Sequence, residues 1–239
     1  MYIFFLDTEG SGSTTKNEDY DIKIFSLAVL LSTYFVYNSI GCIDEKSIST
    51  LSLITKLAQN IAVATNSDPD QYVLSFYAPK FLWCLRDFTL EIRDKSGKAI
   101  SSSQYLENAL RTHVKGDNMK IRQGLMNFFK ERDCVTLVRP VFDEKELQQL
   151  NNLPLTKIRP EFLNGLNLIR SKILAKCKPN QINGVNLSPE MYCAMVQKYI
   201  QAINLGQIPT ISSAWDYIVE DVCVRAYNDC IDVYQEGIK

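Results

Sequence analysis

The side chains best suited to chemistry follow the first apolar run of the chain. Residues 2–6 are apolar throughout, and Asp7-Thr8-Glu9-Gly10 follows at once. This pattern predicts a buried strand that delivers a carboxylate and a flexible glycine to the carboxyl edge of a sheet. An Asp at such a position can hold a magnesium-bound water, while the glycine amide faces a terminal phosphate. The alternative is an ordinary strand followed by a turn, because so short a motif also recurs by chance.

Two later apolar runs also end in polar side chains. Residues 81–85 are followed by Arg86-Asp87, and residues 134–138 are followed by Arg139-Pro140. The carboxyl ends of parallel strands meet at one edge of a sheet, where ligands bind in open α/β folds. We therefore expect Asp7, Asp87 and Arg139 to lie along the same edge.

The elements that must position these side chains alternate between strands and helices. Helical spacing of apolar residues and helix-start signals predict helices over 22–31, from 44 toward 61, over 101–111 and over 119–130, and a further strand over 34–37. This alternation indicates an α/β fold with a mostly parallel sheet and helices on both faces. After Pro160 only helical patterns occur, with a strong helix start at Ser188-Pro189-Glu190. The last third is therefore predicted to be an α-helical annex without strands.

Composition narrows the function classes. The chain has 239 residues, 46% hydrophobic residues and a net charge of −1, which is ordinary for a globular protein and gives no overall basic balance to attract nucleic acid. Residues 25–43 carry no charge, but their Ser, Thr, Asn and Gly favour a helix and a strand over a membrane span. No basic leader of the secretory type precedes the first apolar run.

The cysteines and the single histidine do not suggest a metal site. Seven cysteines are scattered without a Cys-x-x-Cys, and His113 is the only histidine, so a zinc set of usual spacing cannot be assembled. Buried, reduced thiols in a cytosolic protein are the simpler interpretation. His113 is predicted to lie in a surface loop.

Five segments together resemble the guanylate-binding protein family of large, dynamin-like GTPases, which is related to the atlastins. They are Leu6-Asp7-Thr8-Glu9-Gly10, the run 26–32, the run 35–41, Leu85-Arg86-Asp87-Phe88 and Arg139-Pro140-Val141. Their order and spacing carry the likeness over most of the chain, from residue 2 to about residue 220, although no single segment is specific. The resemblance implies a P-loop GTPase-like G domain that binds GTP with Mg²⁺ and hydrolyses it to GDP and phosphate.

The resemblance also assigns roles to residues. Asp7 matches the magnesium-facing Asp of switch II, Glu9 an acid of the hydrolysis network, and Gly10 the glycine that senses the terminal phosphate. Arg86 and Asp87 match the Arg-Asp motif, in which the Asp accepts hydrogen bonds from guanine. Arg139, Pro140 and Val141 match the start of the guanine cap, a segment that closes over the base and takes part in dimer contacts.

Two departures from the family pattern bear on activity. Val138 stands where the family usually has an acid. The family's phosphate-binding loop, Gly-x-x-x-x-Gly-Lys-Ser, and its switch I Thr lie upstream of the Asp-x-x-Gly strand, so we expect a G domain that lacks its first strand and P-loop. Residues 10–17 and the Gly97-Lys98 pair are near misses that do not complete the motif. We therefore expect weak or no GTP binding by this chain alone.

Three interpretations remain open. The chain is a GTPase fragment, with a partial G domain over 1–178, a connecting helical segment over 179–208 and the start of a helical domain over 209–239. Alternatively, it is a nucleotide-free interaction module that pairs with intact family members, or an α/β domain with no nucleotide role. The resemblance implies GTP and GDP as ligands, a homodimer or pairing through the G domain, and a cytoplasmic location. It implies neither nucleic-acid binding nor a transmembrane segment, and membrane association would come through a larger assembly.

Overall fold

The computed structural model of the chain describes residues 3–9, 18–52, 78–94, 96–111, 117–182, 184–206 and 211–238. His113 and the whole near-miss loop at 10–17, including Gly10, lie outside these ranges, as does the predicted helix beyond residue 52. The described elements, in chain order, are α1 (Glu18–Leu31), β1 (Tyr34–Ile40), α2 (Glu45–Thr50), β2 (Lys80–Arg86), α3 (Ser102–Arg111), α4 (Asp117–Phe128), β3 (Arg132–Thr136), α5 (Glu144–Gln148), α6 (Pro160–Lys176), β4 (Gln181–Ile182), β5 (Val185–Asn186), α7 (Pro189–Asn204) and α8 (Ile211–Ile238).

Three parallel strands form the main sheet, in the order β1-β2-β3. Tyr34 lies opposite Lys80 at one end of the β1–β2 ladder, and Leu85 lies opposite Thr136 in the β2–β3 ladder. The strands alternate with helices along the chain, so the predicted α/β fold with a parallel sheet is confirmed. Among the described residues, those from 32 to 177 form one compact unit, and residues 3–31 and 178–238 form a second.

The central strand β2 is buried on both faces, as expected for a continuous apolar run in a parallel sheet. On one face, Phe81 stacks on Phe129 with ring centroids 4.6 Å apart, and Trp83 packs edge-on against Tyr37 at 5.4 Å. The Trp83 indole N–H donates to the Ser39 hydroxyl at 2.8 Å. This bond satisfies the one polar atom of a fully buried side chain.

Helix α6 covers the other face of the sheet. Phe162 and Ile169 pack against the buried cluster Leu82, Cys84, Val135 and Leu137. Gly165 allows the close approach, since a methyl group at this position would meet the Leu137 side chain. The first turn of α6 therefore lies near the carboxyl end of β3.

The second compact unit has its own helical core. One buried cluster is formed by residues of four elements: Leu31 of α1, Ile182 of β4, Ala194, Met195 and Tyr199 of α7, and Ile218 of α8. Ser188 begins α7 by accepting a hydrogen bond from the Met191 amide at 3.3 Å, so the predicted helix start is confirmed. The last carbonyl of α1, at Leu31, accepts from the Tyr192 hydroxyl at 3.2 Å and from the Asn180 side chain at 3.4 Å.

The predicted N-terminal strand is wrong. Residues 3–9 have no regular secondary structure, and Phe4, Phe5 and Leu6 are 77%, 78% and 58% exposed. A strand is held by hydrogen bonds to its neighbours, and in the described part of the chain no strand pairs with this segment. An apolar run alone therefore does not establish a buried strand.

Other differences are smaller. β3 ends at Thr136, two residues before the end of the predicted run, because its ladder with β2 ends at that residue. The expectation that the last third contains no strand is wrong, since β4 and β5 form a short antiparallel pair around Gly184, which has a φ of 79°. Two residues per strand are too few to give an alternating pattern in the sequence.

Candidate functional site

Asp87 follows β2 directly and has an unusual backbone conformation. Its φ of 53° lies in the left-handed region, and among the described residues it is the one non-glycine with a positive φ. Hydrogen bonds on both sides impose this turn. The Arg86 carbonyl accepts from the Gly41 amide at 2.8 Å, and the Phe88 amide donates to the Leu137 carbonyl at 2.9 Å. The chain is thus held to both neighbouring strands immediately before and after Asp87.

Phe88 anchors the turn after Asp87. Its side chain is buried and packs edge-on against Tyr105 of α3, with ring centroids 5.9 Å apart. The Tyr105 hydroxyl accepts from the Ile43 amide at 3.2 Å, in the loop that follows β1. These contacts fix the backbone at Asp87 while its carboxylate stays about one-third exposed.

Arg139 lies beside this carboxylate. Its Nε atom is 4.0 Å from Asp87 Oδ2, and the two side chains are 50% and 35% exposed. Of the three residues expected along the carboxyl edge of the sheet, Asp87 and Arg139 are therefore confirmed to lie together there, whereas Asp7 does not follow a strand. Arg86 is exposed at the same end of β2.

Pro140 and Val141 are buried, unlike Arg139 before them and Phe142 after them. The Pro140 carbonyl also accepts a hydrogen bond from the Arg159 amide at 2.8 Å. Their burial anchors the segment that carries Arg139. A direct contact of Pro140 or Val141 with a nucleotide remains a prediction.

Asp7 and Glu9 are exposed residues of the N-terminal segment. They belong to the second compact unit, whereas Asp87 and Arg139 belong to the sheet unit. Gly10 lies outside the described residues. The metal, hydrolysis and phosphate roles of these three residues therefore remain predictions, and Asp7 is not at the end of a strand.

Arg159 and Phe142 were missed from the sequence, and they contact each other at the segment that carries Arg139. The Arg159 guanidinium lies 4.1 Å from the centre of the Phe142 ring, and Arg159 Nη1 donates to the Arg139 carbonyl at 3.4 Å. Arg159 is the N-cap residue of α6, directly before Pro160. The Arg-Pro-Glu sequence predicts a helix start, but no local pattern announces a contact with a segment some twenty residues earlier.

The buried carboxylate of Asp133, in β3, has a structural role. Asp133 accepts from the Cys134 amide at 2.8 Å and from the Ser103 hydroxyl, and it pairs with the Lys172 ammonium at 2.5 Å. Burial alone would raise the pKa of Asp133, but these hydrogen bonds and the Lys172 charge lower it. The carboxylate is ionised and fully engaged, so it ties β3 to α3 and α6.

The cysteines are only partly as expected. All seven are free thiols and all lie in the described residues, but Cys193, Cys223 and Cys230 are exposed. Burial raises the pKa of Cys134 to about 12 and also raises that of Cys84. These two buried thiols stay protonated and are poor nucleophiles.

Within the described ranges, no three His, Cys, Asp or Glu side chains are grouped as an all-protein metal site. Magnesium usually needs only one or two carboxylates together with substrate phosphates, so the exposed carboxylate of Asp7 has suitable chemistry for it. None of the helices in the described part of the chain is both long enough and apolar enough to cross a membrane.

Comparison with known proteins gives consistent matches. Residues 1–182 match the family model "Guanylate-binding protein, N-terminal domain", and residues 183–239 match "Guanylate-binding protein, C-terminal domain". Mouse guanylate-binding protein 3 is 33% identical over 98% of this chain and 39% of its own length.

Two human proteins show similar identity and coverage. Human guanylate-binding protein 4 is 34% identical over 89% of the chain and 35% of its own length, and human guanylate-binding protein 6 is 32% identical over 98% and 38%. The chain thus spans less than two-fifths of the length of these relatives. The chain belongs to the guanylate-binding protein family.

Proposed function

We propose that this chain carries the guanine-recognition corner of a GTPase, with Asp87 as the residue that selects the base. The family activity would be GTP hydrolysis to GDP and phosphate. The observation that carries the proposal is the left-handed Asp87 at the carboxyl end of the central parallel strand, with Arg139 beside its carboxylate. Strained, non-glycine backbone concentrates at functional sites, and ligands bind at this edge of α/β sheets.

The chemistry of Asp87 suits guanine. Guanine presents a ring N–H next to an exocyclic amine, and one carboxylate can accept a hydrogen bond from each. Adenine lacks this adjacent pair of donors, so it would leave the carboxylate oxygens unpaired at a cost of about 1–3 kcal/mol. A carboxylate has about four lone-pair sites, so the contact with Arg139 leaves enough for the base.

In the same proposal the N-terminal residues act on the phosphates. Asp7 would hold Mg²⁺, Glu9 would belong to the hydrolysis network, and Gly10 would face the terminal phosphate. Arg86 would support base recognition from the exposed end of β2. Magnesium would neutralise charge on the phosphates when bound with nucleotide.

Ligand-observed NMR tests this proposal because it detects weak binding. We expect the purified chain to give stronger saturation transfer to GMP than to AMP, and we expect Asp87→Ala to remove the difference. Asp94→Asn, in the following loop, is the matched control and keeps the preference. Equal transfer to GMP and AMP in the unmodified chain would exclude guanine recognition.

GTP added in the same NMR experiment shows whether the phosphates contribute to binding. The sequence contains no Gly-x-x-x-x-Gly-Lys-Ser/Thr, whose amides and lysine normally offset the triphosphate charge. We therefore expect GTP to bind no more tightly than GMP. Low-micromolar GTP affinity in calorimetry would contradict this expectation.

The absence of that motif also favours a second candidate function. A nucleotide-free module could pair with intact family members through its G-domain surface. If GMP and AMP bind equally but the chain co-sediments with a full-length relative, this second function is supported.

Organisation and location complete the proposal. Residues 1–178 would be a partial G domain, 179–208 a connecting helical segment and 209–239 the start of a helical domain. The G domain would form a homodimer or pair with relatives, without nucleic acid, and membranes would be reached only through a larger assembly. Seven free thiols are consistent with a cytoplasmic location.

A further inference from the structure

The segment 139–142 connects the end of β3 to α5 and carries Arg139 to the side of Asp87. Two of its four side chains, Pro140 and Val141, are buried, while Arg139 and Phe142 are exposed. Phe142 is 80% exposed, which is high for an aromatic ring in a structured segment. Burial therefore holds the middle of the segment and leaves both ends dependent on other contacts.

Arg159 supplies contacts at both ends. Its guanidinium stacks on the Phe142 ring with 4.1 Å between the Cζ atom and the ring centre. Its Nη1 atom donates to the Arg139 carbonyl at 3.4 Å, and its backbone amide donates to the Pro140 carbonyl at 2.8 Å. One residue thus contacts the segment before, at and after the buried pair.

The environment of Arg159 fixes its side chain. The side chain is 21% exposed, Glu161 Oε2 lies 3.5 Å from its Nε atom, and that nitrogen is buried without a hydrogen-bond partner. Burying an arginine nitrogen in this way is costly unless the remaining contacts compensate. The contacts with the Phe142 ring and the Arg139 carbonyl provide this compensation.

Helix α6 determines where Arg159 stands. Phe162 and Ile169 pack α6 against Leu137, two residues before Arg139, and Gly165 permits the close approach. Arg159 is the N-cap residue of this helix. The position of Arg159 is therefore set by the core of the sheet unit rather than by a mobile loop.

We propose that Arg159 is a positioning residue for base recognition. It holds the segment 139–142 so that the Arg139 guanidinium stays beside the Asp87 carboxylate. This inference rests on the proposed function of Asp87, and it adds a residue outside the segments that carry the family resemblance.

Three variants of the whole chain test the inference. Arg159→Ala removes the ring and carbonyl contacts but keeps the backbone bond to Pro140. Arg159→Lys keeps a cation for the Phe142 ring but loses the planar fork. Arg170→Ala is the matched control, because Arg170 is an exposed arginine on the same helix.

The two measurements are amide hydrogen exchange and a titration of each variant with GMP followed by ligand-observed NMR. In Arg159→Ala we expect exchange at Val141 and Phe142 to rise about tenfold, while the amides of β2 keep their protection. We expect GMP affinity to fall about threefold to tenfold, because the Arg139 guanidinium is no longer held beside the Asp87 carboxylate. Arg159→Lys should lie between these values, and Arg170→Ala should match the unmodified chain.

The outcomes separate this inference from the proposed function. If Asp87→Ala removes the GMP preference while Arg159→Ala leaves GMP affinity unchanged, Arg159 has no positioning role and the proposed function stands. Unchanged exchange in Arg159→Ala also overturns the inference. If the unmodified chain has no GMP preference, both fail.

Discussion

At the scale of single residues, Asp87 combines an unusual backbone conformation with the proposed role in base recognition. A left-handed backbone costs a residue with a Cβ atom about 1–2 kcal/mol relative to glycine, although Asp tolerates it better than most. We therefore expect Asp87→Gly to be about 1 kcal/mol more stable than Asp87→Ala in urea unfolding. Both variants should lose guanine preference. Equal stability of the two would mean that the turn relaxes in solution.

Asp133 gives a second prediction at this scale. Its carboxylate is 11% exposed and pairs with Lys172 at 2.5 Å, so Asp133→Asn leaves a partly buried ammonium without its partner. We expect a loss of about 2 kcal/mol in the free energy of unfolding at neutral pH. Asp229→Asn, on the exposed end of α8, is the control and should change stability little.

The pH dependence of this effect follows from the direction of the pKa shift. The pKa of Asp133 is lowered in the folded state by Lys172, Ser103 and the Cys134 amide, which outweigh burial. Its stabilisation is complete above the unfolded-state pKa of about 4 and is lost as pH falls through the lower folded pKa. The unmodified chain should lose more stability below pH 4 than Asp133→Asn, and parallel curves would contradict this.

At the scale of elements, α8 differs along its length. Tyr217 and Ile218 pack against the helical core, whereas every residue from 222 to 238 is exposed. A helix without packing is marginal in water. We expect amides of 223–238 to exchange at least about tenfold faster than those of 217–221. Uniform protection along α8 would show that a second copy or another partner covers it, and sedimentation velocity would distinguish the two.

Most elements could be predicted because their signals are local. The Ser188-Pro189 helix start, the buried run of β2 and the helix that begins near Ser102 all depend on neighbouring residues in the sequence. The N-terminal run carries the same kind of signal as β2, but β2 has a strand on each side and residues 3–9 have none in the described part of the chain. Pairing is a long-range property, and a local pattern does not report it.

The candidate site, like the fold, could be predicted only in part from the sequence. Asp87 and Arg139 meet because the carboxyl ends of β2 and β3 share one edge, which topology alone implies. The positive φ of Asp87 and the contacts of Arg159 depend on hydrogen bonds and packing between distant segments. No spacing in the sequence indicates them.

At the scale of the whole molecule, the chain consists of a sheet unit that contains Asp87 and Arg139 and a largely helical unit. It matches both domain models of the guanylate-binding proteins while spanning less than two-fifths of the length of its relatives. The proposed base recognition through Asp87 would need only the sheet unit, whereas phosphate chemistry would need groups that this sequence does not supply as a standard loop. The two functions are therefore separable by experiment.

The most direct measurement compares GMP and XMP binding to the unmodified chain and to Asp87→Asn by ligand-observed NMR. Xanthine has a carbonyl where guanine has its amine, and an Asn side chain offers one donor and one acceptor in place of two acceptors. Asn also tolerates the left-handed backbone. We expect the preference to reverse from GMP to XMP by about tenfold. An unchanged preference for GMP in Asp87→Asn would contradict the account.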